Sequence, residues 1–123
     1  MKHILVVDDE HGIRLLIQEI LKADTLTIHT AETGKQAIDM ILELPIELLI
    51  IDYKLPIMDG IEVLHILKDK KINLPTIFMT GLIESIEGEV EQFDFVKAVI
   101  SKPFDVKELY TTVLSIMKLP CPK

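Results

Sequence analysis

The sequence predicts an α/β fold in which a parallel β-sheet is covered by helices on both faces. Three observations lead to this prediction: near-continuous apolar runs, segments of helical periodicity between them, and regular alternation of the two. Strand and helix alternate five times with short connections, an order that calls for right-handed crossovers and a parallel sheet. We therefore expect a doubly wound (βα)5 arrangement.

The strands are predicted from short apolar segments. The runs "HILVV", "ELLII" and "TIFMT" are bounded by polar or turn residues. Such runs suit strands that are covered on both faces, whereas a one-sided antiparallel sheet would show alternation. "LTIHT" and "KAVIS" carry a weaker signal and are the remaining strand candidates.

Apolar residues at helical spacing predict the first and last helices. The first stripe consists of Ile13, Leu16, Ile17, Ile20 and Leu21, and the last of Val106, Leu109, Val113, Ile116 and Met117. A further helix is suggested by Ile83, Ile86, Val90 and Phe93, although Gly88 is unfavourable within it.

Three helix starts are marked by a capping residue that is followed three positions later by Glu or Gln. These pairs are Thr33 with Gln36, Asp59 with Glu62, and Asp105 with Glu108. In a capping pair the two side chains satisfy backbone N–H groups of the first turn. Helices should therefore begin near residues 34, 60 and 106.

Length and composition limit the classes of function. The 123 residues, of which 49% are hydrophobic, suit one domain over residues 1–123. A net charge of −7 opposes nucleic-acid binding, which depends on neutralising phosphates. No stretch approaches the ~20 apolar residues of a membrane span, and the first apolar run is too short for a secretory signal. We expect a cytoplasmic protein without a nucleic-acid or membrane partner.

Polar side chains follow the predicted strands where those strands end. Asp8 and Asp9 follow the first run, Asp52 follows "ELLII", Thr80 ends "TIFMT", and Lys102 follows "KAVIS". The carboxyl ends of parallel strands share one edge, where ligands of open α/β sheets bind. These five residues should therefore lie close together.

The acidic run "DDE" at residues 8–10 raises an electrostatic problem. Two carboxylates about 4 Å apart repel by roughly 4 kcal/mol at an effective dielectric constant near 20. A hard cation such as Mg²⁺, which takes oxygen ligands, would relieve this repulsion. The alternative is that the acids only cap a helix or face solvent.

Four motifs in order resemble the receiver domain of bacterial two-component response regulators: "ILVVDDE", "LLIIDYKLPIMDG", "IFMTG" and "VISKPF". The resemblance spans residues 3 to 118. More narrowly, "VVDDEHGIRLLIQEI" and "SKPFDVKEL" are similar to the single-domain regulators of the sporulation phosphorelay in spore-forming bacilli. The resemblance to receiver domains implies a flavodoxin-like fold with strand order 2-1-3-4-5 and no output domain.

The resemblance also implies a metal-dependent phosphoryl site. Asp52 would accept the phosphoryl group, and Asp9 and Asp52 would bind Mg²⁺, for which Mn²⁺ or Ca²⁺ can substitute. The backbone carbonyl of Lys54 would be a further ligand, and Asp8 would act mainly through water.

Two more residues complete the implied site. Lys102 would contact one phosphoryl oxygen and Thr80 another, and the peptide bond between Lys102 and Pro103 would be cis. The chain would be a phosphoacceptor that catalyses only its own phosphorylation and slow dephosphorylation, rather than an enzyme in the usual sense.

A partner surface is expected beside this site. The resemblance places the first helix against the protein that bears the phosphohistidine, and the small Gly12 would allow close approach. The residues assigned to this surface are His11, Gly12, Ile13, Leu16, Pro103 and Phe104. The expected partners are a sensor histidine kinase, a histidine phosphotransferase and an aspartyl-phosphate phosphatase, acting on a monomer.

Other functions remain as alternatives. Val99 stands where receivers often carry an aromatic residue or His that rotates on phosphorylation, which suits a relay protein better than one that switches an output domain. The second reading is a stand-alone or truncated receiver that regulates a partner by binding. A hydrolase of the haloacid dehalogenase type would have a second aspartate where Lys54 stands, and a flavin site would lack phosphate-binding donors in "DDEHG".

Overall fold

The computed structural model describes residues 2–23, 25–81 and 88–118. Five strands form one sheet in the order β2-β1-β3-β4-β5, and every neighbouring pair is parallel. This flavodoxin-like arrangement confirms the predicted fold and strand order. The strands are β1 (Lys2–Val7), β2 (Leu26–Ala31), β3 (Leu48–Asp52), β4 (Thr76–Thr80) and β5 (Val96–Ser101).

The burial of the strands explains their sequence patterns. All residues of β3 and β4 are buried, as their unbroken apolar runs predict. Strand β2 lies at one edge of the sheet, and most of its residues are only half-buried. The weaker apolar character of "LTIHT" therefore reflects an edge position.

Helices follow the strands and begin where the capping pairs predict. Their bounds are α1 (His11–Ile20), α2 (Gly34–Glu43), α3 (Gly60–Asp69) and the C-terminal helix (Val106–Met117). At the start of α3, Asp59 and Glu62 form both halves of a capping box. Thr33 accepts the N–H of Gln36 at the start of α2, and Asp105 accepts two N–H groups at the start of the C-terminal helix. None of the helices in the described ranges has the length and apolar character that a membrane span requires.

The helix suggested between β4 and β5 is only partly within the described residues. Ile83 and Ile86 lie outside them, whereas residues 88–90 are helical. Val90 and Phe93, the other two members of the predicted stripe, are buried in the core.

The core forms two layers, one on each face of the sheet. Successive residues of β1 alternate between them: Leu5 and Val7 pack with α2 and α3, whereas Ile4 and Val6 pack with α1 and the C-terminal helix. This alternation follows from the period of two in a strand. The sheet is therefore covered on both faces, as the sequence predicts.

Two members of the predicted apolar stripes are exposed. Leu16 is 42% exposed, because the buried side of α1 is centred on Arg14 and Ile17 and each residue turns the helix by roughly 100°. Val106 is 48% exposed, since it is the first residue of the C-terminal helix and precedes the first buried turn at Leu109. Both residues lie on the predicted helices, and the exposure of Leu16 agrees with its expected place on a partner surface.

Candidate functional site

The carboxyl ends of the strands surround one cavity of about 340 Å³. The polypeptide leaves β3 at Asp52 and β4 at Thr80 and reaches Lys102 directly after β5, so all three residues lie at the same edge of the sheet. The lining residues are Asp9, Glu10, Asp52, Tyr53, Lys54, Thr80, Gly81 and Lys102.

Lys102 joins two carboxylates from different strands. Its Nζ atom donates to Oδ2 of Asp8 at 2.7 Å and lies 3.2 Å from Oδ2 of Asp52. The side chain of Asp8 is fully buried, and that of Asp52 is 6% exposed. A buried carboxylate requires a compensating charge or hydrogen bonds, which Lys102 supplies to both residues.

Asp8 has both carboxylate oxygens engaged within the protein. Oδ1 accepts the backbone N–H of Glu10 at 2.9 Å, while Oδ2 accepts from Lys102. Asp8 is also absent from the residues that line the cavity. Its carboxylate therefore connects the turn between β1 and α1 to Lys102, which directly follows β5, whereas Asp9 and Glu10 line the cavity.

The environment of Asp52 raises the pKa of its carboxyl group above the ordinary value. Burial raises the pKa of Asp52, the negative charge of Asp8 raises it further, and Lys102 partly opposes both effects. An additional cation in the cavity would favour the charged carboxylate. The site is therefore short of positive charge around Asp52.

Lys102 is held in its charged form. Burial would lower the pKa of Lys102, but its hydrogen bond to Asp8 and the charge of Asp52 together raise the pKa above its ordinary value. The lysine therefore remains a cation at neutral pH, positioned between two acids.

The acidic cluster has the donor atoms that a hard divalent cation requires. Carboxylate oxygens of Asp8, Asp9 and Glu10 lie within 4.8 Å of one another, and Asp9 and Glu10 are exposed. Oxygen-only donors beside a solvent-accessible cavity suit Mg²⁺, which keeps several waters and takes one or two carboxylates. The residues present therefore fit such an ion.

The glycine that begins α3 allows close packing behind Asp52. A Cβ atom on Gly60 would lie 2.5 Å from the carbonyl oxygen of Asp52 and 2.9 Å from the ring of Phe78. The Gly60 N–H donates to the carbonyl of Tyr53 at 2.8 Å. The start of α3 thus lies directly against the backbone that carries Asp52.

The residues assigned to a partner surface differ in exposure. His11, Gly12, Leu16 and Pro103 are exposed, whereas Ile13 and Phe104 are half-buried and pack against the same core layer. Apart from its chain neighbours and the backbone of its own helix, nothing in the described residues lies within 4 Å of a Cβ built on Gly12, so packing does not require glycine there. The predicted cis bond between Lys102 and Pro103 is present.

Sequence reasoning missed one charged residue of this region, Arg14, and the role of one glycine; it named Glu10 in the acidic run but did not assign it to the site. Arg14 is buried and touches the Asp8 backbone, and Glu10 lines the cavity beside Asp9. Arg14 could have been found because it is the only arginine in the sequence and lies between Ile13 and Ile17 of the apolar stripe. No sequence signal shows how closely Gly60 approaches Asp52.

Comparisons with known proteins agree with this architecture. Residues 4–114 match the family described as the response regulator receiver domain. The chain is 33% identical over 121 residues to sporulation initiation phosphotransferase F of Bacillus subtilis, with 94% of each chain covered. It is 30% identical to the regulatory protein AtoC of Escherichia coli over 97% of this chain, which corresponds to 26% of that protein.

A solved structure shows the same fold. The receiver domain of the Francisella response regulator 1452 superposes with a TM-score of 0.87 at 28% identity, covering 96% of this chain and 98% of that one. The chain also spans half the length of the cell cycle response regulator CtrA of Brucella ovis, at 28% identity.

Proposed function

Because the chain belongs to the response regulator receiver family, we propose that it is a phosphorelay intermediate that is phosphorylated on Asp52. It takes the phosphoryl group from a sensor histidine kinase and passes it to a histidine phosphotransferase. The observation that carries this proposal is the position of Asp52, which lines the cavity, contacts Lys102 at 3.2 Å and shares the cavity with Asp9 and Glu10.

Asp52 is the proposed nucleophile of the transfer. One carboxylate oxygen forms a bond to phosphorus while the bond from phosphorus to the donor's imidazole nitrogen breaks. The departing nitrogen takes up a proton from solvent, so that the imidazole is released in its neutral form. Lys102 neutralises charge on the transferred group, and Thr80, at the end of β4, would hydrogen-bond another phosphoryl oxygen. Such transfer depends mainly on positioning and charge neutralisation.

The proposed ligands of Mg²⁺ are the carboxylates of Asp9 and Asp52 and the backbone carbonyl of Lys54, with Asp8 acting mainly through water. The bound ion would supply positive charge to the transferred phosphoryl group. The engagement of both Asp8 oxygens within the protein supports its indirect role. Mn²⁺ and Ca²⁺ share the preference for oxygen ligands and are the expected substitutes.

The proposed docking surface lies on the exposed side of α1 and beside Phe104. Exposed Leu16 and Gly12 next to the acidic site support this assignment, since a relay must admit the histidine of another protein. We propose a monomer that acts as one receiver domain in the cytoplasm, with an aspartyl-phosphate phosphatase as a further partner. The likeness to sporulation initiation phosphotransferase F supports a role in the initiation of sporulation.

A second candidate is a receiver that regulates a partner or an attached output domain by binding. The longer relatives favour it, because the chain corresponds to 26% of AtoC and half of CtrA. Val99, half-buried in β5 and packed against the core, favours the relay, since valine cannot act as an aromatic rotor.

The test is Mg²⁺-dependent labelling by acetyl phosphate and by a phosphorylated histidine kinase. Asp52→Asn should abolish labelling by both donors, whereas Asp39→Asn, which removes an exposed carboxylate on α2, should leave it unchanged. Labelling of Asp52→Asn equal to that of the parent protein would refute the assignment. Transfer from the labelled protein to a histidine phosphotransferase distinguishes the relay from the second candidate.

A further inference from the structure

We infer that Arg14 is a positioning residue for the proposed metal and phosphoryl site and that it acts through the backbone of Asp8. This inference rests on the proposed function. Arg14 is the only arginine in the sequence, and its side chain is 10% exposed although it belongs to a helix beside an open cavity. Burying a guanidinium is costly unless its donors are satisfied.

The donors of Arg14 contact three segments around the site. One terminal nitrogen donates to the carbonyl oxygen of Asp8 at 2.7 Å, and the other lies 3.3 Å from Nδ1 of His11 and 3.4 Å from Oε1 of Glu32. The side chain of Glu32 is 67% exposed, so this ion pair contributes little. The short bond to Asp8 is therefore the main contact of the buried guanidinium.

The Asp8 carbonyl lies where the backbone changes from strand to helix. The N–H of Asp8 still bonds to Ala31 of β2, while the first N–H bond of α1 runs from Arg14 to the carbonyl of Glu10. The Asp8 carbonyl comes after the last residue of β1 and before α1. Arg14 thus fixes the peptide unit between Asp8 and Asp9, and with it the direction in which Asp9 leaves the backbone.

A continuous chain of contacts connects this peptide unit to Asp52. Asp8 accepts from Arg14 through its carbonyl and from Lys102 through its carboxylate, and Lys102 also contacts Asp52. The carboxylates at residues 8–10 repel one another, so the turn that holds them would relax without a rigid contact behind it. A guanidinium suits this task because its donors form a planar fork, whereas a lysine is a flexible point charge.

The experiment measures Mg²⁺ affinity directly, apart from phosphorylation. The chain contains two tyrosines and no tryptophan, and Tyr53 lines the cavity. The substitution Tyr110→Phe leaves Tyr53 as the only tyrosine, so that its fluorescence reports the binding of Mg²⁺. Calorimetry provides an independent measurement of the same dissociation constant. The variants are Arg14→Gln, Arg14→Lys and, as a matched control, Glu32→Gln, which removes the exposed ion pair but leaves the bond to Asp8.

We expect Arg14→Gln to raise the Mg²⁺ dissociation constant about tenfold, Arg14→Lys to raise it nearly as much, and Glu32→Gln to change it less than twofold. Acetyl phosphate labelling should need correspondingly more Mg²⁺ to reach half its maximum. A purely structural role would lower the folded fraction and the amplitude of labelling without moving this midpoint. Circular dichroism of each variant measures the folded fraction.

Each result decides between defined outcomes. Full Mg²⁺ affinity in Arg14→Lys together with loss in Arg14→Gln would show that charge alone matters, which would overturn the inference. Unchanged Mg²⁺ affinity in both folded variants would overturn it as well. If Arg14→Gln does not fold, Arg14→Lys decides alone, and parent affinity in it overturns the inference. Absence of labelling in the parent protein would instead contradict the proposed function.

Discussion

Helices α1 and α3 both begin beside the cavity, yet they are attached to the sheet differently. Each follows a strand with a site carboxylate at its carboxyl end: Asp8 comes directly after β1, and Asp52 is the last residue of β3. Helix α3 starts with a complete capping box and buries five residues. Helix α1 has no side-chain cap, and within it only Arg14 and Ile17 are buried.

The difference separates two tasks at one site. The proposed phosphoacceptor needs a fixed backbone, and α3 provides it through close packing against Asp52. A protein partner needs accessible surface, and α1 leaves Leu15 and Leu16 exposed beside the acidic turn. Helix α3 therefore fixes the backbone of the proposed acceptor, whereas the exposed side of α1 is accessible to a partner.

The largest expected effect contrasts the two glycines that lie in the first turns of these helices. Gly60→Ala should lower the free energy of unfolding by about 3 kcal/mol, because its Cβ would overlap the Asp52 carbonyl oxygen and the Phe78 ring. Gly12→Ala should raise it by up to about 0.5 kcal/mol, since alanine favours a helix and nothing lies near the added atom. Urea denaturation measures both, and equal effects would contradict the comparison.

The second prediction tests α1 as a docking surface. Gly12→Leu should reduce phosphotransfer from the histidine-bearing protein at least about tenfold, equivalent to roughly 1.4 kcal/mol. Labelling by acetyl phosphate should stay nearly unchanged, because the small donor needs only the acidic site. Rates with the two donors, measured on the same preparation, check this.

Two exposed leucines provide the control for that prediction. Leu16→Ala should also weaken transfer from the protein donor, whereas Leu42→Ala, on α2, should not, although both side chains are exposed. Ile13→Ala should weaken transfer as well, but Ile13 also packs against the core, so its effect includes lost stability. A parallel loss with both donors would mean that α1 supports only the fold.

The sequence predicts the parts of this architecture that local signals encode. Strand runs and capping pairs act within a few residues, so β1 to β5 and the starts at Gly34, Gly60 and Val106 agree with the structure. The buried side of α1 could not be centred correctly from apolar residues alone, because Arg14 occupies part of it. The approach of Gly60 to Asp52 depends on tertiary packing, which no local pattern records.

The third prediction concerns the two N-caps. Asp59→Ala should cost about 1 kcal/mol of stability, because it removes the side-chain bond to the Glu62 N–H and half of the capping box. Glu10→Ala should cost nothing and can raise stability, since Glu10 makes no cap bond with its side chain and adds to the acidic cluster. Thermal unfolding in metal-free buffer measures the difference; a larger loss in Glu10→Ala would reverse the interpretation.

The smallest effect is expected in the loop that leads from Asp52 to α3. Ile57 adopts a φ of 69°, and the Met58 N–H donates to the carbonyl oxygen of Pro56 at 2.7 Å. A tight turn is therefore centred on Ile57, a β-branched residue whose side chain is fully exposed. This conformation is strained for isoleucine and easy for glycine. Ile57→Gly should therefore raise the free energy of unfolding by about 0.5 kcal/mol, after the entropic cost of glycine in the unfolded chain. Ile57→Ala, which keeps a Cβ atom while removing most of the exposed apolar surface, should recover much less. Equal stabilisation by both variants in urea denaturation would mean that apolar exposure, rather than backbone strain, is the cost in this loop.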